Sequence, residues 1–123
     1  MLINSLYVEH SFCAAHRIGT HLGKCKNTHG HTWKVEVTIG YNQPDSENLM
    51  LIDFGDIKRI ISKYDHRDIN EVTGWIDATA ELLAQMFIKD LLSELSDKIQ
   101  YIRSVKCVVW ESATTSVTSQ AIF

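Results

Sequence analysis

HTWKVEVTIGY, residues 31–41, is the stretch on which the fold turns. Trp33, Val35, Val37, Ile39 and Tyr41 alternate with Lys34, Glu36, Thr38 and Gly40. Successive side chains of a strand point to opposite faces, so this pattern predicts a strand with one apolar and one polar face. The same alternation runs more weakly through Leu2–His16, where Leu2, Leu6, Val8, Phe12 and Ala14 are apolar and Asn4 and His10 interrupt the series. That stretch reads as a second half-buried strand, with His16 on the parity of Phe12. Further on, YIRSVKCVVWE (101–111) puts Val105, Cys107 and Val109 on one face and carries Glu111 onto it, and SVTSQAIF (116–123) reads as a short last strand.

Between the two pairs of strands the period changes. The turn-rich NQPDSEN (42–48) holds the only proline and ends the second strand. In DFGDIKRIISKY (53–64), Ile57, Ile60, Ile61 and Tyr64 recur at helical spacing, with Asp53 or Asp56 available as an N-terminal cap. A second helix is expected to begin near Asp77 or Thr79 and to bury Leu82, Leu83, Met86, Phe87, Leu91 and Leu95. The order ββααββ predicts an α+β domain: a four-stranded antiparallel sheet with both helices on one face. A chain of 123 residues is expected to form a single domain, 1–123.

Composition narrows the function classes. Apolar residues make up 45% and charged residues 22%, with a formal net charge of -3 and the two signs interspersed, so no basic face for nucleic acid is expected. No apolar run approaches the roughly 20 residues that span a bilayer, and MLINSLYVEH has no basic region followed by an apolar run, so no membrane partner is expected. Cys13, Cys25 and Cys107 are an odd set without a C-x-x-C pair, which predicts free thiols in a reducing cytoplasm.

The segment CKNTHGH (25–31) carries the chemistry. In an extended chain His29 and His31 point to the same side, about 6.6 Å apart along the strand, while Gly30 points away. They share parity with Trp33 and Val35, so they face inward, where unpaired imidazoles are costly. His16, at the end of the preceding strand on its apolar face, is the expected third ligand if the strands pair antiparallel. Three neutral imidazoles suit Zn²⁺ and leave one position open for chemistry. Cys25, in the connection Arg17–Thr28, leaves a second reading open: as a fourth ligand it closes a structural site, and as a thiolate near the metal it is a base or nucleophile. His10 and His21 read as ordinary histidines. Asp65 and His66, in YDHRDIN (64–70), pair a carboxylate with an imidazole in a way that suits proton transfer near neutral pH. Glu111, on an inward face, needs donors, which a flat heterocycle with adjacent ring N–H and amino groups supplies.

FCAAHR, C-x₃-H-G-H, DF before a helix, DH-x-x-x-N, T-x-E and W-E, in that order, resemble the 6-pyruvoyltetrahydropterin synthase family from about Phe12 to Thr118. The three-residue spacer between Cys25 and His29 resembles the branch of 6-carboxy-5,6,7,8-tetrahydropterin synthases of queuosine biosynthesis. The resemblance implies the tunnelling fold and a homo-oligomer, commonly a hexamer of two trimers with active sites at subunit interfaces. It implies a small-molecule substrate, 7,8-dihydroneopterin triphosphate, and the products 6-carboxytetrahydropterin, acetaldehyde and triphosphate. By the same resemblance His16, His29 and His31 are the zinc ligands, Cys25 is the catalytic base, and Asp65 and His66 are a proton-relay pair from a neighbouring subunit. Glu111 is the pterin anchor, with Thr79 and Glu81 as lesser contacts. Arg17, Lys24 and Lys26 are candidates for the triphosphate on charge alone. The pyruvoyl reaction, which keeps the carbon side chain, and a non-catalytic zinc- or pterin-binding module are the alternatives.

Overall fold

The computed structural model describes residues 2–45 and 50–123, so the part of the expected 42–48 turn at 46–48 lies outside the described residues. The alternating stretches form the two longest strands, β1 (Ile3–His16) and β2 (His29–Asn42), paired antiparallel with Val8 opposite Val37, Phe12 opposite Trp33 and His16 opposite His29. β2 therefore begins two residues before the alternating stretch, and the H-G-H segment lies inside the ladder. β4 (Ile102–Ser112) lies beside β2 with Val35 opposite Val109 and Val37 opposite Cys107, and β5 (Thr115–Ile122) closes the run beyond β4.

The helices cover the face that carries Leu6, Val8, Phe12, Trp33, Val35, Val37, Ile39, Val105, Cys107 and Val109, all buried. α1 (Phe54–Ile61) starts at Asp53, whose carboxylate accepts from Gly55 N at 2.7 Å, and buries Ile57, Ile60 and Ile61. Asp53, not Asp56, is thus the cap. α3 (Ala80–Glu94) starts at Thr79, whose hydroxyl accepts from Leu82 N at 3.2 Å, which settles the choice between Asp77 and Thr79. Its buried stripe is Leu83, Ala84, Phe87, Ile88 and Leu91, with Leu82 and Met86 only partly covered. The helix is rotated by about one residue from the expected stripe, since one residue is roughly 100° of turn. At the centre Phe12 stacks on Trp33, centroids 6.3 Å apart, and meets Phe87 edge-on at 6.2 Å. Each fully buried side chain of this kind contributes about 1.5–3 kcal/mol.

Two details depart from the expected ββααββ order. Arg67–Asp68 forms a short strand, β3, parallel to Ala14–Ala15 of β1, so among the described residues the sheet is mixed and five-stranded, in the order β3-β1-β2-β4-β5. A one-and-a-half-turn helix, α2 (Ile69–Thr73), follows; Asp68 caps it, and Gly74 ends it at φ 76, a left-handed value that glycine adopts without penalty. Both elements are too short to leave a period in the sequence.

Candidate metal centre

The β1–β2 register decides the site. Direct pairing of His16 with His29, and of Ala14 with His31, brings three rings to one point on the apolar face. Their centroids are 4.6, 5.0 and 4.8 Å apart. One ligand nitrogen from each lies within 4.8 Å of the others, and this is the metal-capable set found among the described residues. His16 is 1% exposed and packs edge-on against Trp33 at 4.8 Å.

Hydrogen bonds fix which nitrogens point inward. His16 Nδ1 lies 2.7 Å from Ala78 O and His29 Nδ1 2.7 Å from Asn27 O. A carbonyl only accepts, so each Nδ1 carries a proton and donates it, which in the neutral ring leaves the lone pair on Nε2. His16 Nε2 and His31 Nε2 are buried with no hydrogen-bond partner. Burial lowers the pKa of both His16 and His31, which favours the neutral, metal-ligating form. A divalent cation fits this donor set, because it satisfies lone pairs that protein donors leave open.

Glu111 stands beside the cluster, as the inward parity of β4 predicts. The β4–β5 register shifts between Trp110 and Ser112, and from that irregularity Oε1 reaches 3.5 Å from His31 Nε2 while Oε2 lies 3.9 Å from His16 Nε2. Glu111 also lines a cavity of about 360 Å³ together with Ile18, Thr79, Glu81 and Val117. The structure therefore brings Glu111, Thr79 and Glu81 to one cavity wall next to the histidines.

Cys25 is half-buried on the 3-10 turn Lys24–Lys26 and stands outside the three-histidine set. Lys24 and Lys26 are exposed, Arg17 is partly buried, and among the described residues none of the three is ion-paired. Asp65 and His66 stand outside the three-histidine set. His66 borders a cavity of about 540 Å³ with Cys13, Ala15, Gly30, Thr32 and His31, the last a member of the histidine cluster. The His66 side chain is 84% exposed and its Nε2 lies 3.7 Å from Asp65 Oδ2. Asp65 Oδ1 accepts from Cys13 N at 3.0 Å, and His66 N donates to Cys13 O at 2.7 Å. His66 holds φ 58, a strained value for a residue with a side chain. Within one chain His66 thus shares a cavity with His31, while neither Asp65 nor His66 belongs to the three-histidine set.

One organising residue carried no assigned role in the sequence. Asn70, 3% exposed, accepts from Arg17 N at 2.7 Å and donates to the carbonyls of Arg17, Trp75 and Ile76 at 2.9, 3.0 and 3.1 Å. It ties the residue after His16 to the segment that presents Ala78 O. Only its place in DH-x-x-x-N marks it, and the carbonyls it grips leave no side-chain signal.

The sequence profile of 6-pyruvoyl tetrahydropterin synthase matches residues 5–121. A protein of Archaeoglobus fulgidus, provisionally named a 6-carboxy-5,6,7,8-tetrahydropterin synthase, is 38% identical over 103 residues, 80% of this chain and 82% of that one. The 6-carboxy-5,6,7,8-tetrahydropterin synthase of Haemophilus influenzae is 44% identical over 57 residues, 45% of this chain and 40% of that one. The structure of Caenorhabditis elegans 6-pyruvoyl tetrahydropterin synthase superposes with a TM-score of 0.74 at 24% identity, over 98% of this chain and 97% of that one, a likeness of fold.

Proposed function

The chain belongs to the 6-pyruvoyl tetrahydropterin synthase family, and from that premise we propose that it is a zinc-dependent 6-carboxy-5,6,7,8-tetrahydropterin synthase acting in queuosine biosynthesis. The observation that carries the reading is the convergence of three imidazoles, two with buried unpartnered Nε2 atoms, beside a carboxylate that lines a cavity. His16, His29 and His31 hold the zinc, which when bound supplies Lewis-acid polarisation of the substrate's side-chain oxygens. The substrate is 7,8-dihydroneopterin triphosphate, and the products are 6-carboxytetrahydropterin, acetaldehyde and triphosphate.

The chain's own groups divide the remaining work. Glu111 accepts from the ring N–H and amino group of the pterin, and Thr79 and Glu81 hold the ring in the shared cavity. Cys25 Sγ takes a proton from the substrate's side chain. Its position outside the ligand set supports this role over that of a fourth ligand. Asp65 and His66 move a proton in a site completed by a neighbouring copy, a reading supported by the exposure of the His66 side chain and by the pair's place outside the three-histidine set. The protein is accordingly a homo-oligomer, a hexamer of two trimers, each chain one domain over 1–123. Arg17, Lys24 and Lys26 take the triphosphate on their unpaired charges. The free state of Cys13, Cys25 and Cys107 supports a cytoplasmic location. Among the described residues no helix is long and apolar enough to cross a membrane.

Product analysis tests the proposal. Zinc-loaded protein incubated with 7,8-dihydroneopterin triphosphate is expected to yield a carboxylated tetrahydropterin and trapped acetaldehyde, read by mass spectrometry. A pterin that loses triphosphate but keeps three side-chain carbons assigns the pyruvoyl reaction instead. Absence of turnover with zinc bound defeats the enzymatic reading.

A further inference from the structure

The loop that carries Cys25 leaves the metal centre at Arg17 and returns at Thr28. Most of it is exposed, and Leu22 is fully so, so little apolar burial holds it in place. Its position is set by hydrogen bonds to one short extended segment, Ile76–Ala78. Ile18 and Asp77 form an antiparallel bridge, and Gly19 N donates to Ile76 O at 3.0 Å. Gly19 has to be glycine for this approach, because a Cβ there stands 2.9 Å from both Cγ2 and O of Ile76. Thr20 N then donates to Asp77 Oδ1 at 2.9 Å and Thr20 Oγ1 to Asp77 Oδ2 at 2.8 Å. Among the described residues, the Asp77 carboxylate makes the only side-chain hydrogen bonds from outside the loop to residues 19–26. From this docked end the loop folds back, with Ile18 N donating to Cys25 O at 2.7 Å.

We propose that Asp77 is a positioning residue for Cys25, locking the loop to the backbone segment that also orients the metal ligand His16. The next residue, Ala78, holds His16 Nδ1 through its carbonyl. Residues 77 and 78 thus set the thiol and the imidazole from one piece of chain. With the Asp77 carboxylate removed, the Gly19 N bond, the Ile18 bridge and the Ile18 N bond to Cys25 O remain, but the two side-chain bonds that fix the loop at Thr20 are gone. The loop from Thr20 to Lys24 then loosens, and the Cys25 thiol is held through the Ile18 N bond alone, while the histidines stay in place. The inference rests on the proposed role of Cys25 as base and adds what holds that base in register.

The test compares Asp77→Ala, Thr20→Val and Asp77→Asn with the parent, each loaded with zinc. Three quantities are read: bound zinc, the pH profile of Cys25 alkylation by iodoacetamide resolved by peptide from Cys13, and kcat and KM. Asp77→Ala is expected to keep stoichiometric zinc and to shift the alkylation profile. Its kcat is expected to fall about tenfold or more, KM changing less, since small misplacements of a catalytic group are costly. Thr20→Val, which loses only the hydroxyl bond, is expected to shift in the same direction by less. Asp77→Asn is expected to recover most of the parent behaviour, because its Oδ1 still accepts from Thr20 N. Should Asp77→Ala fail to fold, Thr20→Val carries the test. Parental alkylation and kcat in Thr20→Val or Asp77→Ala overturn the proposal, as does loss of zinc in step with kcat, which assigns the effect to His16. A parent with no turnover defeats the enzymatic reading alone; the alkylation profiles still decide whether Asp77 positions Cys25.

Discussion

Asn70→Ala is predicted to weaken both the fold and the metal centre, and the structure gives the size of the effect. The side chain serves four backbone groups, but two have a second partner: Arg17 O also accepts from Ala78 N at 3.2 Å, and Ile76 O from Gly19 N at 3.0 Å. Truncation therefore orphans Arg17 N and Trp75 O. An unsatisfied buried group costs about 1–3 kcal/mol, so the pair amounts to roughly 2–4 kcal/mol after partial relaxation. Loosening the 75–78 segment also frees Ala78 O from His16 Nδ1, and losing such an outer contact typically weakens metal binding by about 10–100-fold. Urea unfolding of the metal-free protein at fixed concentration reads the first quantity, and competitive zinc titration reads the second. Asn70→Asp, which keeps the acceptor for Arg17 N but turns a carboxylate toward three carbonyls, is expected to be no milder. A loss below about 1 kcal/mol together with unchanged zinc affinity refutes the view that Asn70 organises the centre.

Three further outcomes follow from the assigned roles. Cys25→Ala is expected to retain one zinc per chain and to lose about 10²–10⁴-fold in turnover, the range for removal of a general base; loss of zinc, read by metal analysis, makes Cys25 a ligand instead. His29→Ala is expected to lose stoichiometric zinc and activity together, and full zinc retention removes His29 from the ligand set. Glu111→Gln is expected to keep zinc while kcat/KM falls about 10–100-fold, the worth of hydrogen bonds to a charged acceptor; unchanged steady-state kinetics sinks the pterin-anchor role.

The sheet was legible because one physical rule, alternation against a single apolar face, governs Trp33–Tyr41 and Val105–Val109 alike. His16 was legible for the same reason: its parity with Phe12, together with antiparallel pairing, suffices to place it opposite His29. Glu111 followed from the parity of Cys107, whose thiol burial pushes up to about 12 and so removes from any chemistry. What escaped the sequence depends on backbone. Ala78 O and Asn27 O orient two imidazoles, yet neither residue has a side chain that announces the task. β3 and α2 exist because Asp65, Asp68 and Asn70 bind backbone groups, a set of local capping bonds with no period to detect. The rotation of α3 that leaves Leu82 at the margin is a packing outcome, decided by where Phe87 meets Phe12.

The histidine cluster is also a statement about what the fold leaves unsatisfied. Donation from Nδ1 to fixed carbonyls commits the neutral rings of His16 and His29 to one tautomer, in which the inward nitrogens are acceptors. Acceptors turned toward one another repel, and buried ones cost free energy unless a donor or a cation arrives. A proton is disfavoured, because burial lowers the pKa of His16 and His31. A cation is favoured, because the Glu111 carboxylate stands within 3.9 Å of both rings. The stability of the domain comes from elsewhere, from Phe12, Trp33, Phe87 and the isoleucines of α1 beneath the sheet. That separation lets one end of the β1–β2 ladder carry an unsatisfied donor set without unfolding it. With Cys25 outside the set, on a loop docked to the segment that orients His16, the cluster keeps its three nitrogens for a cation beside the Glu111 carboxylate, which itself lines a cavity.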